Sequence, residues 1–395
     1  IKASSRDAFF IETSAQGWYP DPMDRAGLRT WIEIDTRALR KNYRLFRSLI
    51  PKGTKLMTVV KSNAYGHSLI DFTRTLDRFG SNWFGVDSIV EARALRREGV
   101  KKPMVVLGST LPECYVEAAQ TNVSVTVSNF ENLQKAVGQG TRRKPLKIHI
   151  KIDTGMCRQG FMPADVQKIF PLFRDKNNGI FLEGIYTHFA AAKNPAFPRD
   201  TKDQVRQFTS VSEEVIAAGF KPIRHVAATA GVLLFPDSHF DMVRVGIGMY
   251  GLWPSPEIRA YSERRFELTP AFTWKTVVCE IKDLAAGSRV GYDYTETLAK
   301  PTRVAILPIG YWHGYPRALS SIGHVSIQGK RARVIGRVSM DMVAVDVSRI
   351  KNIRMRDEAV LLGKGVPVEE LAELSNTSNY EIITRINPLI KRIYN

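Results

Sequence analysis

Between Leu56 and Gly248, short β-branched or apolar runs alternate with amphipathic helical stretches, and the alternation repeats eight times. This is the pattern of consecutive βα units and hence of a parallel sheet. The strand candidates are KLMTVVK, WFGVDS, PMVVLG, VSVTVS, KIHIKID, LEGIYTHFA, IRHVAAT and FDMVRVGIG; stretches such as SLIDFTRTLDRFG, SIVEARALRREG, NFENLQKAVG and TKDQVRQFTSVSEEVIAAG supply helices between them. Eight such units predict an α/β fold built on a (β/α)8 barrel of the TIM type, which ordinarily takes about 250 residues.

After GMYGLWPS the helical period fades and strand-like runs follow: AFTWKTVVCEIKDL, TRVAILPIGY, HVSIQG, RARVIGRVSMDMVAVDV and EAVLLG. The expected organisation is an N-terminal extension over 1–28, a barrel over 29–254 and a mostly β domain over 255–395. PVEELAELS reads as one short helix of that last domain. The lead-in strand WIEID is a candidate to join the β domain, with the helix TRALRKNYRLFRSLI set against the barrel.

Composition narrows the function classes. Lys and Arg number 57 against 39 Asp and Glu, a net charge of +18. The basic residues are scattered over helix-like stretches, with no zinc-finger, RNA-recognition or helix-turn-helix signature beside them, so solvated helix faces are expected and no nucleic-acid partner. A basic field still draws in anionic ligands. No apolar run approaches the roughly 20 residues that span a bilayer, and the first residues lack the apolar core of a signal peptide, which predicts a cytoplasmic protein without a membrane partner. Cys114, Cys157 and Cys279 are widely spaced and odd in number, as expected of free thiols rather than a disulfide framework or a metal site.

In a barrel of this type the working residues stand where strands run into the loops that follow them. Strand one is expected to end in Lys61 with Tyr65 behind it, and strand five in Lys151 and Asp153, with Arg158 beyond the turn. Strand six leads to His188 and strand seven to Thr229; strand eight carries Arg244, followed by Gly246, Ile247 and Gly248. Loops after strands seven and eight commonly bind phosphate. A phosphate pocket facing a strand-end lysine suits pyridoxal 5′-phosphate, which is held by lysine as a Schiff base and gripped by its phosphate.

VVKSNAYGHS resembles the cofactor-lysine motif of the alanine racemases, pyridoxal-phosphate enzymes with a barrel and a β domain. HIKIDTGMCRQGF, GIYTHFA, FPDSHFDMVRVGIGMYG, VGYDYT, PIGYWHGYPR, GRVSMDM and NYE resemble further blocks of that family, in its order, from about residue 30 to the end. The resemblance implies that Lys61 is the Schiff-base lysine. It implies that Tyr65, Thr229, Gly246, Ile247 and Tyr380 grip the phosphate, that His188 lies under the cofactor ring and that Arg244 faces the pyridine nitrogen. Because a guanidinium effectively never gives up its proton, Arg244 should leave that nitrogen unprotonated and the ring a weaker electron sink. Racemisation needs acid/base groups on both faces of Cα. Lys61 is one; the resemblance makes Tyr292 the other, with Tyr294 a neighbour chosen against on motif alignment alone. It also implies a homodimer with shared active sites, in which Tyr311, Met340 and Asp341 line the substrate entrance across the interface. Arg158 matches an arginine near the substrate carboxylate, and Lys151 a lysine that is carbamylated in many relatives to hold that arginine.

The function so implied is interconversion of L- and D-alanine, supplying D-alanine for peptidoglycan. Cys157, Ala228 and Ser68 stand where many relatives have Gly, Asn and Gly, which bears on substrate choice more than on reaction type. Alternatives are racemisation of other small amino acids such as serine, and a barrel-type pyridoxal-phosphate decarboxylase. The decarboxylases usually keep an acidic group on the pyridine nitrogen, and Arg244 speaks against that. A non-catalytic pyridoxal-phosphate carrier would need the barrel alone, and nucleic-acid binding through the basic surface is the weakest reading.

Overall fold

The computed structural model describes Arg25 and residues 27–395; most of the 1–28 segment set apart on sequence lies outside the described residues. The first described strand, β1 (Thr30–Ile34), leads through Asp35 into a helix, Thr36–Leu49, whose first amides at Arg37 and Ala38 are capped by the Asp35 carboxylate at 2.8 and 3.0 Å. Eight parallel strands then close a barrel in sequence order: β2 (Lys55–Val59), β3 (Trp83–Val86), β4 (Met104–Ser109), β5 (Ser124–Val127), β6 (Leu146–Lys151), β7 (Ile180–Tyr186), β8 (Ile223–His225) and β9 (Met242–Val245). These fall on the eight runs expected from sequence. Closure is made by β2 on β9, with Met57 opposite Arg244.

Met57, Trp83, Val105 and Met242 pack together as a small apolar cluster on four of the barrel strands. The helices between strands bury their apolar faces outside the strands: in Arg199–Ala217, the residues at 204, 208, 211, 212 and 215 are buried at helical spacing.

The second sheet has nine strands, drawn from β10 (Phe272–Val277), β11 (Glu280–Leu284), β14 (Thr302–Leu307), β15 (His324–Ile327), β16 (Lys330–Ile335), β17 (Val343–Asp346), β18 (Glu358–Leu362) and β19 (Arg392–Tyr394), together with β1. The pair β12 (Arg289–Val290) and β13 (Glu296–Thr297) forms a separate ribbon. β1 lies between β10, antiparallel, and β19, parallel, while its helix packs beside the barrel loop at Ile247–Tyr250.

Two of the long strand-like runs are each divided. AFTWKTVVCEIKDL changes partner at Val278 and Cys279, whose amides bond to Asp357 O and Ile306 O, so β10 pairs with β18 and β11 with β14. RARVIGRVSMDMVAVDV turns at Gly336, where φ is 68° and a Cβ would stand 2.9 Å from Val290 O. β19 and a helix at Asn379–Thr384 were not anticipated. No helix among the described residues is long and apolar enough to cross a membrane.

Candidate active site

A cavity of ≈ 460 Å³ opens at the C-terminal ends of the barrel strands. Lys61, Tyr65, Lys151, Arg158, His188 and Arg244 line it, and Thr229, Gly246, Ile247 and Tyr380 close one side. Ten residues that sequence singled out therefore meet in one place.

β2 ends at Val59, two residues before Lys61, and the chain enters a turn for which L-amino acids pay heavily. Ser62, Asn63, Ala64 and Tyr65 all have φ between 50 and 56°, a left-handed helical turn costing about 1–2 kcal/mol per residue. The surroundings hold it. The Ala64 amide bonds to Val60 O at 2.8 Å, Asn63 Oδ1 accepts the Leu69 amide at 2.9 Å, and Arg392 of the C-terminal strand donates to Gly66 O at 2.9 Å. Gly66 must be glycine, since φ is 84° and a Cβ would meet Ile383 O at 2.2 Å. The turn sends the Tyr65 ring toward β9, where its hydroxyl would sit 2.7 Å from a Cβ on Gly246.

Tyr380, from the unanticipated helix, closes the other side, its ring centroid 6.1 Å from that of Tyr65. Burial, then the Asp87 carboxylate, pushes the Tyr65 phenol up to about 12, and burial raises Tyr380 as well. Both therefore remain O–H donors at neutral pH. Thr229, whose Oγ1 accepts the Gly248 amide at 3.3 Å, adds a third hydroxyl.

Opposite them, Arg244 is buried and has no carboxylate partner among the described residues. Its Nη1 donates to His225 Nδ1 and His225 O at 2.9 and 2.8 Å; its Nη2 donates to Thr187 O, Val226 O and His188 Nδ1 at 2.8, 2.9 and 3.2 Å. Those contacts occupy the two terminal nitrogens and leave Nε–H as the donor available to a ligand. Burial lowers this guanidinium only to about 10, so it stays charged at neutral pH. Burial, followed by the charges of Arg244 and Arg158, drives His188 down to about 3 and keeps its ring neutral.

Lys151 closes β6. Burial, then Arg158 and Arg244, brings it down to about 8. The loop to Arg158 is wound around Asp153, whose carboxylate accepts the amides of Gly155, Met156, Cys157 and Arg158 at 2.9 to 3.0 Å. Asp153 was noted on sequence only as a strand-end residue; its organising role depends on the fold of the loop.

Tyr292, Tyr311, Met340 and Asp341 do not line the cavity. They lie on the β domain, with Tyr292 69% and Met340 54% exposed. The Tyr311 amide bonds to Ser339 O at 3.0 Å, and a Cβ on Gly310 would stand 2.4 Å from Met340 O, so GYWHG and SMDM pack backbone to backbone. Tyr292 opens a tight turn held by an Arg337–Asp293 ion pair of 2.9 Å and by Arg289 over the Tyr294 ring at 4.0 Å.

Two residues of the site escaped the sequence reading. Asp87, at the end of β3, accepts from Lys61 Nζ at 3.1 Å; the strand-end rule applied to WFGVDS would have found it. Lys193 lines the cavity with its Nζ 4.3 Å from the Tyr380 ring centroid, and no strand or turn signal marks it.

Residues 34–254 match the family model for the alanine racemase N-terminal domain and residues 271–394 that for its C-terminal domain. The chain belongs to the alanine racemase family. It is 37% identical over 373 residues to the alanine racemase of Desulforamulus reducens, covering 92% of this chain and 98% of that one. To that of Symbiobacterium thermophilum it is 39% identical over 381 residues, covering 94% and 99%. Among solved structures it resembles the alanine racemase of Clostridium difficile 630, with a TM-score of 0.88 at 32% identity over 93% of this chain and 96% of that one. It also resembles the Bacillus anthracis alanine racemase solved with bound L-Ala-P, with a TM-score of 0.87 at 32% identity over 93% and 95%.

Alanine racemases depend on pyridoxal 5′-phosphate, and the side chains present fit it. Three hydroxyl groups gather at one side of the cavity around a glycine whose Cβ would fill the space beside Tyr65. A lysine stands at a strand end, and a guanidinium with one free N–H lies at the barrel wall.

Proposed function

We propose that this protein interconverts L- and D-alanine using pyridoxal 5′-phosphate, working as a cytoplasmic homodimer that supplies D-alanine for peptidoglycan. The observation that carries the reading is the meeting of Lys61, Arg244 and the Tyr65, Thr229, Gly246 and Tyr380 cup in one cavity of an alanine racemase family chain. Free thiols at Cys114, Cys157 and Cys279 suit a reducing compartment.

In this reading Lys61 tethers the cofactor through its amine, the hydroxyls of Tyr65, Thr229 and Tyr380 grip the phosphate beside Gly246 and Ile247, and His188 supports the ring. When bound, the cofactor supplies an electron sink that acidifies the Cα–H of an attached amino acid. Arg244, which keeps its proton and has Nε–H available as a donor, would limit that sink. Protons then stay near Cα, where a racemase needs them. Lys61, as a free amine, would move a proton on one face of Cα. Tyr292 of the partner subunit moves one on the other.

To take a proton from Cα, Tyr292 needs cations at the assembled site that stabilise its phenolate. The exposure of Tyr292, Tyr311, Trp312, Met340 and Met342 supports a face covered by a second copy. There Tyr311, Met340 and Asp341 line the substrate entrance, and Arg158 binds the substrate carboxylate. Lys151, carbamylated, turns a negative charge toward Arg158.

The test is incubation of the loaded enzyme with L-alanine while following optical rotation and carbon dioxide. Loss of rotation without gas is expected; gas release without racemisation overturns the reading. Serine, offered beside alanine, measures the breadth of the pocket.

A further inference from the structure

Four adjacent barrel strands contribute to a polar chain inside the barrel: His149 from β6, Glu183 from β7, His225 from β8 and Arg244 from β9. Both imidazoles are fully buried, and the Glu183 side chain is 11% exposed. They form a chain. Arg244 Nη1 is 2.9 Å from His225 Nδ1, His225 Nε2 is 2.8 Å from His149 Nδ1, and His149 Nε2 is 3.2 Å from Glu183 Oε2. At its far end Glu183 is also met by Lys147 at 3.1 Å and by the Ser124 hydroxyl.

The site is built for these rings. Gly184 has no side chain where a Cβ would stand 2.4 Å from His149 Nδ1, and Tyr186 stacks on His225 at 4.6 Å with an interplanar angle of 11°.

The end groups set the direction of every bond. A guanidinium can only donate and a carboxylate can only accept, while a neutral imidazole has one donor and one acceptor. Arg244 donating to His225 Nδ1 therefore puts the His225 proton on Nε2, which donates to His149 Nδ1. That places the His149 proton on Nε2, which donates to Glu183. Burial, then the Arg244 charge, holds His225 well below its usual range and so keeps it neutral. Burial alone would raise Glu183, but hydrogen bonds from His149 and Ser124 and the Lys147 charge carry it down to about 2.

We propose that Glu183 and His149 are positioning residues for Arg244: through His225 they lock the tautomer that presents a bare Nδ1 to the guanidinium, and so aim Arg244 Nε–H at the cofactor. The opposite His225 tautomer would set an N–H against an N–H at 2.9 Å and push the guanidinium aside. The inference rests on the racemase reading only for what Arg244 meets.

Histidine-selective ¹⁵N NMR on the protein without cofactor tests the lock itself. Both His149 and His225 are expected as neutral Nε2–H tautomers in the native chain and in Glu183→Gln, whose amide oxygen still accepts. Mixed tautomers are expected in Glu183→Val. In the loaded enzyme, Glu183→Val should lower kcat by about tenfold with KM little changed, and Glu183→Gln should recover most of that loss. If the valine variant does not fold, His149→Leu against His149→Gln decides, since glutamine can relay the bond in the same direction and leucine cannot. An Nδ1–H tautomer at His225 in the native protein, or native kcat and tautomers in Glu183→Val or His149→Leu, overturns the proposal. Failure of the native enzyme to racemise alanine would sink the functional reading and leave the tautomer result standing.

Discussion

Lys61 Nζ lies 3.1 Å from Asp87 Oδ1, so an ion pair joins the ends of the first two barrel strands at the mouth of the cavity. The two side chains are 38% and 52% exposed, and a pair in that setting is worth about 0–1 kcal/mol. Covalent attachment of a cofactor to Lys61 has to displace it. Asp87→Ala is therefore expected to keep its melting temperature within about 3 °C and to bind pyridoxal phosphate up to about fivefold more tightly. Lys61→Ala should lose the label fixed by borohydride reduction and mapped to this peptide. A label retained elsewhere would remove Lys61 from its role.

Shared sites predict complementation. Lys61→Ala and Tyr292→Phe chains should each be nearly inactive, with losses of about 100-fold or more. Co-refolded in equal amounts, they form mixed dimers with one intact site, restoring about a quarter of native activity by two-fold symmetry. Tyr294→Phe should retain most of its rate. No recovery in the mixture would place Lys61 and Tyr292 outside a common site.

An amine brought down to about 8 leaves Lys151 about one-tenth in its free-base form at pH 7, and the free base is the form that takes up carbon dioxide. Protein prepared in ¹³C-bicarbonate is expected to show a carbamate carbonyl signal. Lys151→Ala should abolish the signal and raise KM for alanine by roughly tenfold, through loosening of Arg158.

Gly246→Ala tests the phosphate cup. The new methyl would stand 2.7 Å from the Tyr65 hydroxyl, and Tyr65 is half-buried and packed against other rings, 4.7 Å from that of Tyr250. The phenol cannot step aside freely. Cofactor affinity measured by fluorescence should fall by about tenfold, at the cost of roughly one strong hydrogen bond, and the melting temperature of the unloaded protein should fall by a few degrees as the overpacked contact adjusts.

Acid should destabilise the fold before its carboxylates titrate. Burial lowers His67 and His188 to about 3 and His225 well below its usual value. Between pH 6.5 and about 3 the unfolded chain binds protons that the folded chain refuses, so stability falls as pH drops through that window. Each such histidine contributes up to about 1.4 kcal/mol per pH unit. Melting temperatures measured from pH 7 to 5 should decline, and His67→Phe should make the decline shallower; His67 Nε2 is buried without a hydrogen-bond partner among the described residues. A flat profile would contradict this.

The eight barrel strands and most of the cavity were legible along the chain. Strand period, β-branched runs and the rule that barrel chemistry stands at strand ends are local properties, sufficient to pick out Lys61, Lys151, Arg158, His188, Thr229 and Arg244. The family motifs added Tyr380 and Tyr292, which no local pattern singles out. The left-handed turn after Lys61 was not legible, because its cost is met by Glu91 and Arg392, which are distant in sequence. The same holds for β19, a three-residue strand that exists only because β1 offers it an edge. Which strand each half of AFTWKTVVCEIKDL would pair with, and that His149 and Glu183 stand in line with Arg244, depend on register across the sheets. Residue order determined which side chains reach the barrel mouth. Long-range backbone pairing decided how they are aimed, because the bonds that aim them join residues that meet only in the folded chain.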